Sequence, residues 1–101
     1  MKLLTVIYDA GIEESVIELV EGLDLPGFTQ LFGAHGAGGT GRKLNNPVFP
    51  GVNNLLLLLL PDEAVRTVTN AFYRLQATYR LTPGLTLLVQ DAQIPEKPRD
   101  L

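Results

Sequence analysis

Apolar residues fall in short blocks at Leu3 to Tyr8, Phe28 to Phe32, Val52 to Leu60 and Leu85 to Gln90, and recur at helical spacing in two stretches between them. Leu3 to Tyr8 is rich in β-branched and aromatic residues and reads as a strand. Leu4, Val6 and Tyr8 share one face of it, and Leu3, Thr5 and Ile7 the other. Asp9-Ala10-Gly11 turns the chain, with Asp9 placed to cap the helical segment after it. Ile12, Val16, Leu19, Val20 and Leu23 then line one side of a helix. Glu13 and Glu14 occupy its first turn, where the helix dipole favours negative charge. Leu25-Pro26-Gly27 is expected to end this helix, and Phe28 to Phe32 reads as a second strand running into glycine. Pro61-Asp62-Glu63 opens a second helix, whose apolar stripe is Val65, Val68, Phe72, Leu75 and Tyr79. Arg80 to Gly84 breaks it, and Leu85 to Gln90 is a further strand.

The block at Val52 to Leu60 constrains everything else. Six consecutive leucines, Leu55 to Leu60, sit between Pro50-Gly51 and Pro61. They are too few to cross a bilayer, which takes about 20 apolar residues, and the flanking stops favour one strand apolar on both faces. Leu55, Leu57 and Leu59 then point one way, and Leu56, Leu58 and Leu60 the other. At about 1.5–3 kcal/mol per buried leucine, each set represents about 5–9 kcal/mol. That rivals the whole stability of a small domain, about 5–15 kcal/mol. Neither set is expected to stay wet. One can lie under this chain's helices, and the other is expected to borrow its cover from further copies of the chain.

The strand-helix-strand plan occurs twice. A βαββαβ order is the split βαβ, or ferredoxin-like, arrangement. The expected fold is therefore α+β, a four-stranded antiparallel sheet with two helices on one face. Residues 1–92 would form the single domain, with a long loop at 34–51, and residues 93–101 a C-terminal tail with two prolines.

Composition narrows the partners. Of 101 residues, 46% are hydrophobic and 19% charged, which is globular and not disordered. The net charge of −3 gives no electrostatic reason to expect nucleic acid or an anionic membrane as a partner. There is no cysteine, so disulfides, thiolate metal sites and cysteine nucleophiles are excluded together. The opening Met1-Lys2-Leu3-Leu4-Thr5-Val6-Ile7-Tyr8 meets Asp9 too soon for a signal-peptide apolar region, and a cytoplasmic protein is expected.

Eighteen residues, Ala34 to Gly51, carry no strand or helix signal, and loops longer than about 12–15 residues are usually functional or disordered. Gly36-Ala37-Gly38-Gly39-Thr40-Gly41 matches G-x-G-x-x-G, but Arg42-Lys43-Leu44-Asn45-Asn46-Pro47 comes next, where a dinucleotide fold needs a helix. The Walker pattern fails too, because Lys43 does not follow a glycine and no Ser or Thr comes after it. Two readings remain open. One is a surface loop that tolerates glycine. In the other, the backbone N–H groups of Gly36, Gly38, Gly39 and Gly41 form an anion nest beside the Arg42 and Lys43 cations. Phe49-Pro50-Gly51 and Asn53-Asn54 look like an anchor for the returning limb.

His35 is the only histidine, and a loop histidine with a local hydrogen bond is favoured over a metal ligand. Within one chain a metal site would need distant oxygen ligands, while a threefold assembly would bring three His35 rings together. Glu13, Glu14, Glu18, Glu21 and Asp24 read as a solvated helix face. No base stands beside a nucleophile, so no catalytic residue is assigned and an enzyme is not expected.

These features together resemble the PII-like (nitrogen-regulatory P-II) signalling proteins. The resemblance covers the whole chain. It rests on the strand Lys2 to Tyr8, on Gly27-Phe28-Thr29 before the second strand, and on that strand running into Gly33-Ala34-His35-Gly36. The long loop and the helix start Pro61-Asp62-Glu63-Ala64-Val65 complete it. It implies a homotrimer whose sheets pack around a threefold axis. It also implies adenine nucleotides (ADP, ATP or AMP) or another small anion in intersubunit clefts, and a T-loop that signals to a target protein. Family members hold phosphates with a glycine-rich, lysine-containing segment after the second helix. Here that stretch is Arg80-Leu81-Thr82-Pro83-Gly84-Leu85, with no lysine and one glycine, and the loop is shorter and lacks the modified tyrosine. The resemblance is thus to a divergent member. Arg80 and Thr82, with Lys97 or Arg99 of the tail, are its candidate anion contacts. The alternatives are a metal-binding trimer of the CutA type and an ACT-like small-molecule sensor.

Overall fold

A computed structural model of the chain describes residues 1–35, 37–38, 41–42 and 52–101, with side chains described for 1–35 and 52–101. The elements are β1 (Lys2–Asp9), α1 (Glu13–Gly22), β2 (Thr29–Ala34), β3 (Ala37–Gly38), β4 (Gly41–Arg42), β5 (Asn53–Leu60), α2 (Val65–Ala77) and β6 (Leu85–Asp91). Short 3-10 turns, Ala10–Ile12 and Asp62–Ala64, lead into the two helices. The main sheet runs β2-β5-β1-β6 with every pairing antiparallel, which is the ferredoxin-like order expected. No described helix is long and apolar enough to cross a membrane.

The leucine strand β5 lies inside the sheet, between β2 and β1. Leu4, Val6 and Tyr8 of β1 and Leu56, Leu58 and Leu60 of β5 face the helices. Ile12, Val16 and Val20 from the first helical segment and Val68 and Phe72 from α2 complete that core. Both predicted stripes are therefore the faces that pack, with Leu19, Leu23, Val65, Leu75 and Tyr79 partly buried at the margins.

Among the described residues, no helix covers the opposite face. Cross-strand register lines it up in rows: Thr29, Leu57, Thr5 and Leu88; Leu31, Leu55, Ile7 and Thr86; Leu59, Leu3 and Gln90. Leu31, Leu59 and Leu88 are 50%, 40% and 51% exposed. Within one chain, then, the leucine ribbon is buried on one side only.

The largest departures from expectation are in α1, β2 and the stretch 34–51. The helix α1 stops at Gly22, earlier than Leu25-Pro26-Gly27, because Asp24 adopts φ 53, the left-handed conformation that closes a helix. The strand β2 continues to Ala34, past Phe32. Its register shifts between Leu31 and Ala34, and Gly33 there has φ 74, which glycine adopts with less strain than residues carrying a Cβ. The stretch 34–51 also contains β3 and β4, paired Ala37 to Arg42 and Gly38 to Gly41. Strands of two residues show no alternation, so the sequence pattern could not reveal them.

Candidate functional site

One end of the sheet gathers the roots of the long loop. Asp9 and Ala10 leave β1 there with their N–H groups pointing to different segments. The Asp9 N–H donates to the Gly84 carbonyl at 3.0 Å, and the Ala10 N–H donates to the Val52 carbonyl at 3.0 Å. Asp9 also accepts from the Gly11 N–H at 2.8 Å, the cap its position predicted. The turn after β1 thus ties down both the returning limb of the loop and the segment that carries Arg80 and Thr82. Gln76 Nε2 donates to the Pro83 carbonyl at 2.9 Å and holds that segment from the α2 side.

Beside this turn lies a polar knot. Glu13, the first residue of α1, accepts from the Tyr8 hydroxyl, from Gln30 Nε2 at 2.7 and 2.6 Å, and from Asn54 Nδ2 at 3.0 Å. Gln30 Nε2 also donates to the Tyr8 oxygen at 3.0 Å. Asn54 is buried, and its Oδ1 accepts from the Gly33 N–H at 3.1 Å. Burial raises the Tyr8 pKa above the ordinary tyrosine range. Its hydrogen bond to Glu13 raises it further, against a smaller opposing pull from Gln30. Four elements, β1, α1, β2 and β5, meet in this cluster.

Glu13 therefore corrects one expectation: it is half-buried in the knot, whereas Glu14, Glu18, Glu21 and Asp24 remain exposed. The helix period put Glu13 among the acids, but its partners come from strands distant in sequence. Asn54 carried the missed signal. It shares the core-facing alternation with Leu56, Leu58 and Leu60, and a polar residue at such a position needs a buried partner.

The predicted site residues are not all gathered at this end. Gly38 lies in β3, and Gly41 and Arg42 in β4. Gly36, Gly39 and Lys43 lie outside the described residues. Arg80 and Thr82 belong to the segment after α2, tied through Gly84 to the loop roots, and both are exposed. Arg99 is exposed in the tail. That tail leaves β6 at the opposite end of the sheet, where the Ala92 N–H donates to the Met1 carbonyl at 3.2 Å. His35 is exposed, and no group of three or more metal-ligating side chains occurs among the described residues.

Among the described residues, two surface hollows bear on the site. One, of about 450 Å³, lies on the uncovered sheet face and is lined by Leu3, Pro26, Gly27, Phe28, Thr29, Leu57 and Leu59. Its apolar walls suit a flat ring better than a charge. The other, of about 490 Å³, is lined by Met1, Asp62, Asp91, Ala92 and Gln93. Its charges are paired: the Met1 ammonium lies 2.8 Å from Asp62, and Lys2 bonds Asp91. The Met1 ammonium holds the Asp62 carboxyl below its usual range, and Asp91 raises the Lys2 ammonium.

The fold and these features define a ferredoxin-like domain with one bare apolar sheet face and a loop rooted in a polar knot. No protein-family model and no curated protein matches the chain. Solved structures do match. CPII, a nitrogen regulatory PII-like protein from Thiomonas intermedia K12 bound to ADP, AMP and bicarbonate, is similar at a TM-score of 0.75 and 18% identity, over 96% of this chain and 94% of that one. The apo form of CPII is similar at 0.61 and 15% identity, over 93% and 92%. A Thermus thermophilus protein provisionally assigned as PII-like signalling is similar at 0.56 and 22% identity, over 88% and 83%. What is shared at these identities is the fold. The chain has the fold of PII-like proteins, as its sequence resemblance implied.

Proposed function

We propose that this chain is a non-enzymatic, PII-like signal-transduction regulator of the cytoplasm. It assembles as a homotrimer and binds a small anionic effector, an adenine nucleotide such as ADP or AMP, in the clefts between copies. The loop 34–51 acts as the T-loop that meets a target protein. Gly36, Gly38, Gly39, Gly41, Arg42 and Lys43 supply the anion nest, with Arg80 and Thr82 beside the loop roots and Arg99 reaching in from a neighbouring copy. Nitrogen regulation is the first setting to test, since CPII is a nitrogen regulatory protein.

The observation that carries this reading is the bare sheet face. Leu3, Ile7, Leu31, Leu55, Leu57, Leu59 and Leu88 form one apolar surface across all four strands. Its burial is worth about 25 cal/mol per Å², and such patches mark association surfaces. The apolar hollow at Gly27–Thr29 opens on the same face, so a second copy packed there would wall it and leave room for an adenine ring. The ligands named for CPII support the choice of effector.

Sedimentation equilibrium and calorimetric titration with ADP test both halves. The expected results are a trimer mass and saturable ADP binding. A stable monomer at micromolar concentration would overturn the assembly. No heat with ADP, AMP or ATP at millimolar concentration would overturn the effector class.

A further inference from the structure

The knot around Glu13 has a direction built into it. An asparagine amide presents a donor at one end and an acceptor at the other, and only its partners fix which end faces where. A carboxylate can only accept, so Glu13 draws the Asn54 nitrogen toward itself at 3.0 Å. The Asn54 oxygen is thereby turned outward, onto the Gly33 N–H at 3.1 Å. Gly33 sits where the β2–β5 register shifts and has φ 74, so its N–H lies at a break in the ladder and its backbone is the least constrained in β2. We propose that Glu13 is a positioning residue: by setting the orientation of the Asn54 amide it fixes the course of Gly33–Ala34–His35, the outgoing limb of the loop.

The carboxylate is itself braced. Tyr8 and Gln30 satisfy the remaining capacity of Glu13 and keep it from turning away. All its described partners are neutral donors, and its place at the start of α1 adds the favourable end of the helix dipole. The returning limb is held separately, through the Ala10 N–H on Val52. The outgoing limb also pairs with β5 through Ala34 and Asn53, so the side-chain relay acts at the break between Leu31 and Ala34, and it is the relay that substitution can rewire.

The test is a polarity swap. In Asn54→Asp the relay places two carboxylates together, whereas in Glu13→Gln with Asn54→Asp the new amide donates to the new carboxylate, which still accepts from Gly33. Amide hydrogen exchange on the 101-residue chain should show Gly33 exchanging at least about tenfold faster in Asn54→Asp, with Val6 and Leu56 unchanged. The double variant should return Gly33 to its original protection. Should Asn54→Asp alone fail to fold, the double variant decides: restored protection supports the relay, and lost protection or failure to fold overturns it. Unchanged Gly33 exchange in Asn54→Asp, or a rise spread evenly over β1 and β5, also overturns it.

A consequence for effector binding rests on the PII-like reading. ADP affinity should weaken about tenfold in Asn54→Asp and recover in the double variant. If the unaltered chain binds no ADP, the nucleotide reading fails, while the exchange result still decides what Glu13 does.

Discussion

The two faces of β5 are built from the same residue and have opposite surroundings. Leu56, Leu58 and Leu60 are at most 1% exposed beneath α1 and α2, while Leu59 on the other side is 40% exposed. The difference lies in supply. Two helices can cover one face of a four-stranded sheet, and the chain has no third layer among its described residues. A strand's composition states how much cover it needs, and the count of other elements states how much one chain can provide. The shortfall here is a whole sheet face, which is why assembly and effector binding are read from the same surface.

Substitutions that treat the two faces differently sharpen or break that comparison. The largest effect is expected from Leu57→Asp, which sets a charge in the row Thr29, Leu57, Thr5, Leu88. It should convert the proposed trimer to a folded monomer by sedimentation, because a buried unpaired charge is very costly. A variant that sediments like the parent would show that this face is not the interface.

Next comes Leu58→Ala, on the helix side. It should cost about 2–5 kcal/mol in urea unfolding at any protein concentration, seen as a drop of about 10 °C or more in Tm. Leu59→Ala should cost clearly less than Leu58→Ala when both are measured in the Leu57→Asp background. Equal costs there would mean that the two faces are equally covered within one chain.

Alkaline pH probes the polar end of the covered face. The folded state holds the Tyr8 proton more tightly than the unfolded chain, whose tyrosine titrates near 10.0. Stability from this group is therefore full below that pH and falls above it, as the unfolded chain releases its proton first. Unfolding free energy measured between about pH 9 and about pH 11 should decline less steeply in Tyr8→Phe. Identical slopes would mean that the phenol is not withdrawn from water.

Tyr79→Phe should give the smallest change. It removes the 2.7 Å hydrogen bond to Ser15 Oγ that links the end of the α2 segment to α1. A loss of about 0.5–1.5 kcal/mol is expected, with no change in sedimentation. A larger loss would mean that the helix layer depends on this link more than on its apolar packing.

Much of this was legible along the chain. The apolar stripes from Ile12 to Leu23 and from Val65 to Tyr79 follow helical spacing, and the helices pack by those stripes. Asp9 was readable as a cap. Glu13 was misread, because the helix period places it with Glu14 and says nothing of Tyr8, Gln30 and Asn54. Those residues stand 5, 17 and 41 positions away. The end of α1 was placed late because a left-handed Asp24 leaves only a weak trace in composition. Within 34–51, two-residue strands have no periodicity to read. The glycine-rich run, its Arg42-Lys43 pair and the Arg80–Thr82 segment remain the candidate site on chemical type, and the last of these also on its attachment to the turn after β1.

Local pattern alone fixes which residues alternate and which recur at helical spacing, because side-chain direction follows from backbone geometry within a few positions. It thus specified the order of elements and divided the leucines of β5 into two sets. It could not say which set the helices would take, since a period of two is symmetric between the faces. That choice was made by the way the strand-helix-strand crossovers pack, and the same packing drew Glu13, Tyr8, Gln30 and Asn54 together. Contacts among residues so far apart in sequence exist only once the sheet has formed.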